Sequence, residues 1–159
     1  MFMNESIKQK ALSLFDNGDL DELFELIKPY IAAEEPYAMY LYSCFSRSEW
    51  NESDEGFEER SLRNLYFAAE RNVPEAMYKL ACYYLNGEFV EKNLQQSAIY
   101  FERAAKGGHS RSKLSHGMNL YHGGDGSRES RILALKFIEE AASEGVDGAD
   151  VLLSKLKTR

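Results

Sequence analysis

Apolar residues along the chain recur at the spacing of one helical face, not in the alternation of a strand. Ile7, Ala11, Leu12 and Phe15 mark one face before Asn17-Gly18-Asp19 breaks it, and Leu20, Leu23, Phe24, Ile27 and Ile31 mark the next. Pro29 falls inside that second helix and predicts a kink or an early end. Residues 74–108 show the pattern most clearly. Pro74 suits a first helical turn. Ala76, Leu80, Ala81 and Tyr84 follow on one face, and Asn86-Gly87 stops the helix. Residues 88–92 make a turn; Ser97, Tyr100, Phe101, Ala104 and Ala105 then mark a second face, which Gly107-Gly108 closes. The pattern predicts a pair of antiparallel helices.

That pair is repeated. Pro36-Tyr-Ala-Met-Tyr-Leu-Tyr-Ser-Cys-Phe45 matches Pro74-Glu-Ala-Met-Tyr-Lys-Leu-Ala-Cys-Tyr83 at Pro, Ala, Met, Tyr and Cys, at an offset of 38. Ala68-Ala69, Ala104-Ala105 and Ala141-Ala142 recur at steps of 36 and 37. Each is followed at one distance by a residue that tolerates the left-handed conformation closing a helix: Asn72, Gly108 and Gly145. Ala76, Ser112 and Ala149 form a third series with the same steps. Small residues in register are where neighbouring helices approach, and the aromatics fill the space beside them.

These residues resemble the Sel-one-like repeat, a branch of the tetratricopeptide superfamily, with the pattern A-x-x-x-L-G-x-x-Y-x-x-G, a short loop, then A-x-x-W-Y-x-x-A-A-x-x-G. Residues 74–108 carry Ala76, Leu80, Tyr84, Gly87, Ala104, Ala105 and Gly108 in place, with Ala81 for the first Gly and Tyr100-Phe101 for Trp-Tyr. Residues 109–145 keep Gly117, Gly123, Ala134, Phe137, Ala141, Ala142 and Gly145, and depart at Ser112, His116 and Leu120. Residues 36–73 keep Ala38, Ala68 and Ala69 around a longer connection. The resemblance covers about three quarters of the chain and implies an all-α fold: an α/α superhelical solenoid of about nine helices in one domain. Residues 4–33 would be a capping helix pair and 147–157 a closing helix, since solenoid ends need covering.

The chain has 159 residues, ample for a core without metal or disulfides. Charge changes the picture more. Residues 1–60 hold 5 basic and 14 acidic side chains, −9, whereas residues 61–159 hold 14 and 12, +2. Nucleic acid and anionic membranes call for the opposite sign, so neither is expected, and the natural complement is a basic protein. No apolar stretch reads as a signal peptide or a membrane span, and a cytoplasmic address is expected.

Two candidate binding surfaces stand out. Residues 49–59 hold six acids in eleven positions and the one tryptophan, between the two helices of the first repeat: Glu49, Trp50, Glu52, Asp54, Glu55, Phe57, Glu58 and Glu59. Read as a loop, the segment either presents Trp50 to a partner, as interface hot spots do, or folds Trp50 or Phe57 back onto the body. The second surface is implied by the resemblance, in which the first helix of each pair lines a concave face. In register, that face carries Tyr37, Tyr40, Cys44, Glu75, Tyr78, Lys79, Cys82, Arg111, Met118 and Tyr121. Its tyrosines serve either a ligand or inter-helix packing.

No nucleotide-binding, zinc-protease or serine-hydrolase motif is present. Residues 123–126, Gly-Gly-Asp-Gly, read as an inter-helix turn. His109, His116 and His122 do not share a helical face, and His116 reads as a core histidine. Cys44 and Cys82 occupy equivalent repeat positions and read as reduced thiols. No enzyme, cofactor or metal is expected. The expected function is non-catalytic binding of another, basic protein by a chain expected to be monomeric. The most specific form of it, implied by the resemblance, is a bacterial immunity protein that neutralises a toxin. The alternative is an adaptor that takes peptides in the concave groove.

Overall fold

The computed structural model describes residues 1–158, and these are all-helical: α1 Glu5–Asn17, α2 Leu20–Ala32, α3 Pro36–Tyr42, α4 Asp54–Glu70, α5 Pro74–Asn86, α6 Leu94–Lys106, α7 Ser110–Gly123, α8 Arg128–Ser143 and α9 Ala149–Lys157, with one 3-10 turn at Ser48–Trp50. Local chemistry sets the starts. Asn4, Ser53, Asn93 and Ser127 each accept a backbone N–H three residues on, at the heads of α1, α4, α6 and α8. Glu35 does the same for α3, taking the Ala38 N–H at 2.7 Å.

One closure is used over and over. Gly18, Glu34, Asn72, Gly108 and Gly145 adopt positive φ, two of them without being glycine. After each, the next N–H reaches back to the carbonyl five residues earlier: Asp19 to Leu14, Glu35 to Tyr30, Val73 to Ala68, His109 to Ala104 and Val146 to Ala141, all at 2.9–3.1 Å. The helix-stop series Asn72, Gly108, Gly145 is therefore one structural device. Three residues beyond the last four of these donors lie Ala38, Ala76, Ser112 and Ala149, each 0% exposed.

The chain forms two compact units, Met1–Ala76 and Met77–Arg159, the first ending with the opening turn of α5. In the N-terminal unit α1 packs on α2, α2 on α3 and α3 on α4, around Leu23, Ile27, Ala38, Leu41, Leu65 and Ala68. In the second, α6 packs on α7, α7 on α8 and α8 on α9. There α5 meets α6 through the Ser97 hydroxyl, which donates to the Ala81 carbonyl at 2.8 Å, and through stacked Tyr84 and Tyr100 rings, 5.9 Å apart. The α7–α8 contact is the tightest. A Cβ on Gly117 would lie 2.7 Å from Ile138 Cγ1 and 3.0 Å from the Ala134 carbonyl oxygen, so this position admits glycine alone.

Three expectations need correcting. Helix α2 does not end early at Pro29 but runs through it to Ala32. The proline removes one bond near the helix end, on an exposed face where water reaches the freed carbonyl. The closing helix begins at Ala149, because Gly148 before it is left-handed. Asp54, Glu55, Phe57, Glu58 and Glu59 are not loop residues but the first two turns of α4. Ser53 caps that helix, and Asp54 and Glu55 complement its N-terminal dipole. The irregular connection is 43–53, broken only by the 3-10 turn.

Equivalent positions 61, 97 and 134 supply a test. Ser97 is satisfied by Ala81, position 134 is an alanine, and the Ser61 hydroxyl is buried with no partner. Ser61→Ala is expected to raise stability by about 1 kcal/mol and Ser97→Ala to lower it by about 1 kcal/mol. Urea melts of both variants check this; shifts of the same sign would contradict it.

Candidate interaction surface

Helix α4 places Arg60 on the same stripe as Asn64 and Ala68, and that stripe faces inward. Arg60 is 7% exposed. Its Nε donates to Glu52 Oε1 at 2.7 Å and its Nη2 to Glu52 Oε2 at 2.8 Å; Nη1 and Nη2 also donate to the carbonyls of Tyr42 and Phe45 at 2.6 and 2.9 Å. One guanidinium thus ties the end of α3, the start of the loop and its far side to α4. The Arg60 and Ser46 hydrogen bonds hold the Glu52 carboxyl below the usual range against its burial. A second cation repeats the device nearer the surface: Arg47 bridges Asp21 of α2, at 2.8 Å, and Glu49, at 2.9 Å.

The aromatic residues close over these cations. Trp50 meets Phe24 edge-on at 5.1 Å, Tyr42 edge-on at 5.5 Å and Phe45 at 5.7 Å. The Arg60 guanidinium lies 4.4 Å from the Tyr42 ring centre, 5.0 Å from Trp50 and 5.4 Å from Phe57. Trp50 is therefore folded onto the body. Of the acidic segment, Glu49 and Glu52 are paired, and Asp54, Glu55, Glu58 and Glu59 have no cation partner among the described residues. The surface here is carboxylate, not tryptophan. Arg60, Phe24, Tyr42, Phe45 and Arg47 were missed by sequence reasoning; the available signal was the helical phase of Arg60 with Asn64 and Ala68.

The residues assigned to the concave face fall in separate places. In the N-terminal unit the Tyr37 and Tyr40 rings are 5.5 Å apart, and Tyr37 lines a cavity of about 390 Å³ with Glu75. Burial, then the charges of Glu75, Cys44, Glu5 and Glu35, push the Tyr37 phenol well up. Cys44 donates to the Tyr40 carbonyl at 3.2 Å. In the second unit Tyr78 stacks on His109 at 4.4 Å; burial and then Cys82 push its phenol up, and Arg111 opposes them. Tyr78 and Arg111 line a cavity of about 460 Å³. Met118 lines a different, apolar one of about 350 Å³ with Leu85 and Leu94. Lys79 sits 5.9 Å from the Tyr83 ring, and Tyr121 packs beside His122. Cys44 and Cys82 are free and half-buried, and burial raises the Cys82 thiol.

His109 caps α7, its Nδ1 accepting the Ser112 N–H at 3.2 Å. Burial, aided by Arg111, pushes its pKa down to about 4, so the ring is the neutral acceptor the cap needs. His116 is 6% exposed and meets Phe137 edge-on at 4.9 Å, as a core histidine. The charge division follows the structure. Residues 1–76 carry 7 basic and 16 acidic side chains, −9, and the remainder +2. Four of the seven cations, Lys8, Lys28, Arg47 and Arg60, are engaged by carboxylates of the same unit.

Residues 74–109 and 112–146 match the family model for the Sel1 repeat. The chain carries two Sel1 repeats. A crystal structure of a Sel1 repeat protein from Oxalobacter formigenes is similar to it, with a TM-score of 0.68 at 27% identity, over 86% of this chain and 98% of that one. No curated protein matches it. Sel1 repeat proteins generally mediate protein–protein interaction and are typically non-enzymatic scaffolds. No helix of the described residues is long and apolar enough to cross a membrane.

Two outcomes test the site. Arg60→Ala is expected to cost about 3 kcal/mol or more, since it strands the half-buried Glu52 and two carbonyls. Arg60→Lys recovers little, because an ammonium cannot make the fork. Trp50→Ala, at a half-buried site, costs about 2 kcal/mol. Denaturant melts measure all three. For His109 the folded pKa lies below the unfolded one, near 6.5. Its contribution is therefore complete above pH 6.5 and is lost as pH falls towards about 4. His109→Asn, which caps without titrating, should flatten the fall in stability between pH 6.5 and 4. An unchanged slope would contradict the cap assignment.

Proposed function

We propose that this Sel1 repeat chain is a cytoplasmic, non-catalytic binding protein whose acidic N-terminal unit docks a basic protein. In its most specific form it is a bacterial immunity protein that neutralises a basic toxin. The observation that carries the reading is the charge division: −9 on residues 1–76 against +2 on the rest. Self-pairing leaves a cluster of unpaired carboxylates on α4. Such a surface steers a cationic partner in and rejects anionic ones. A second reading, an adaptor for peptides, is favoured by the Tyr78–Arg111 cavity, whose lining of one cation, a phenol and the carboxylates of Glu144 and Asp147 offers partners to both ends of a polar peptide.

Affinity purification from the native host separates the two. The immunity reading expects one basic protein at equimolar amount, which arrests growth when expressed alone and no longer does so when this chain is co-expressed. Neutralising Asp54, Glu55, Glu58 and Glu59 together should slow association by about tenfold and flatten its salt dependence. The adaptor reading expects a weakly held peptide that Arg111→Ala releases. Recovery of a peptide of that kind with no toxic partner would overturn the immunity reading.

A further inference from the structure

The N-terminal unit holds a cavity of about 390 Å³ lined by Phe2, Glu5, Lys8, Tyr37, Arg71 and Glu75 among others. Three features mark it as more than a gap between helices. Tyr37 is only 7% exposed and lines the cavity, yet its hydroxyl has no hydrogen-bond partner among the described residues. The ring is enclosed while the hydroxyl opens to the cavity, where a ligand can reach it. The charges around it come from Glu5, Glu35 and Glu75. Glu35 is occupied in capping α3, which leaves Glu5 and Glu75 to meet a ligand. Lastly, a cation already rests on the ring: the Lys8 ammonium lies 5.1 Å from the Tyr37 centroid, with Glu5 at 3.5 Å.

The other cation nearby is committed elsewhere. Arg71 lies 3.5 Å over the Phe67 ring and donates to the Phe67 carbonyl. Apart from the Tyr37 ring, Lys8 is held by a carboxylate that is itself 80% exposed, so it can swing into water at little cost. Phe2, 86% exposed at the lip, offers apolar surface to an aliphatic stem.

We propose that this cavity seats a lysine or arginine side chain of the basic protein partner, with the Tyr37 hydroxyl and the carboxylates of Glu5 and Glu75 receiving its cation in the place Lys8 now fills. The proposal rests on the reading that the acidic unit docks a basic protein, and it adds where one side chain of that protein is gripped. Lys8 is then a placeholder that keeps the cavity ordered until the partner's cation displaces it.

Decalysine is the probe, with calorimetry for affinity and amide chemical shifts for location. The intact chain is expected to bind it more weakly as salt rises, with shifts at Lys8, Tyr37 and Glu75. Tyr37→Phe, which keeps the ring, should weaken binding about threefold or more. Glu75→Gln should weaken it about twofold to fivefold, and Lys8→Met should strengthen it. Thermal melts of the three variants should match the parent, since none removes a core contact. If decalysine binds but the variants do not change its affinity, and the shifts fall on α4 instead, the cavity is not the seat and the acidic-surface reading survives. If the chain does not bind decalysine at low salt, both are overturned.

Discussion

The left-handed closure at the ends of α1, α2, α4, α6 and α8 is the constraint on which the rest depends. It satisfies two helix carbonyls within the chain and reverses direction in very few residues. A connection that short leaves the next helix no room to stand off. The first residue of that helix to turn back towards its predecessor must be small, which is why Ala38, Ala76, Ser112 and Ala149 are all fully buried. The same demand reappears a turn and a half later, at Ser43, Ala81 and Gly117, and it is sharpest at Gly117, where a methyl would overlap Ile138. The period of 36–38 residues is thus a spacing between points of closest approach.

This is also why so much of the fold was legible. Closures and close approaches restrict residue type strongly, leaving Gly, Asn, Ala and Ser at fixed steps that survive when the aromatics between them vary. The first repeat was read less well because its two helices are joined by an irregular stretch whose geometry comes from one side chain. Glu58-Glu59-Arg60 looks like a solvated charge run in sequence. Only the helical phase of Arg60 shows that its guanidinium lies on the buried stripe, and a sequence cannot show that it reaches back to carbonyls 15 and 18 residues earlier.

The concave-face residues teach a different lesson. Equivalence of repeat position pairs Tyr40 with Tyr78, and both sit five residues into the first helix of a pair. Their surroundings differ. Tyr40 has the Tyr37 ring tilted against it at 5.5 Å, whereas Tyr78 stacks on His109 at 4.4 Å and has Arg111 opposing the rise that burial gives its phenol. Met118, at the corresponding face of α7, looks into an apolar cavity with no charge in its lining. Register predicts which residues share a backbone environment; side-chain chemistry depends on neighbours that the repeat does not conserve.

Arg60 also bears on function through what it consumes. It takes both oxygens of Glu52 and, with Arg47 drawing on Asp21 and Glu49, uses up the carboxylates nearest the aromatic cluster. Unpaired charge is thereby moved off the loop and onto α4, where regular helix holds Asp54, Glu55, Glu58 and Glu59 in a fixed arrangement. A rigid row of carboxylates binds with less ordering cost than the same groups on a mobile loop. A loop that appeared to offer flexible acids and a loose tryptophan is instead built to hold its tryptophan in and its acids still.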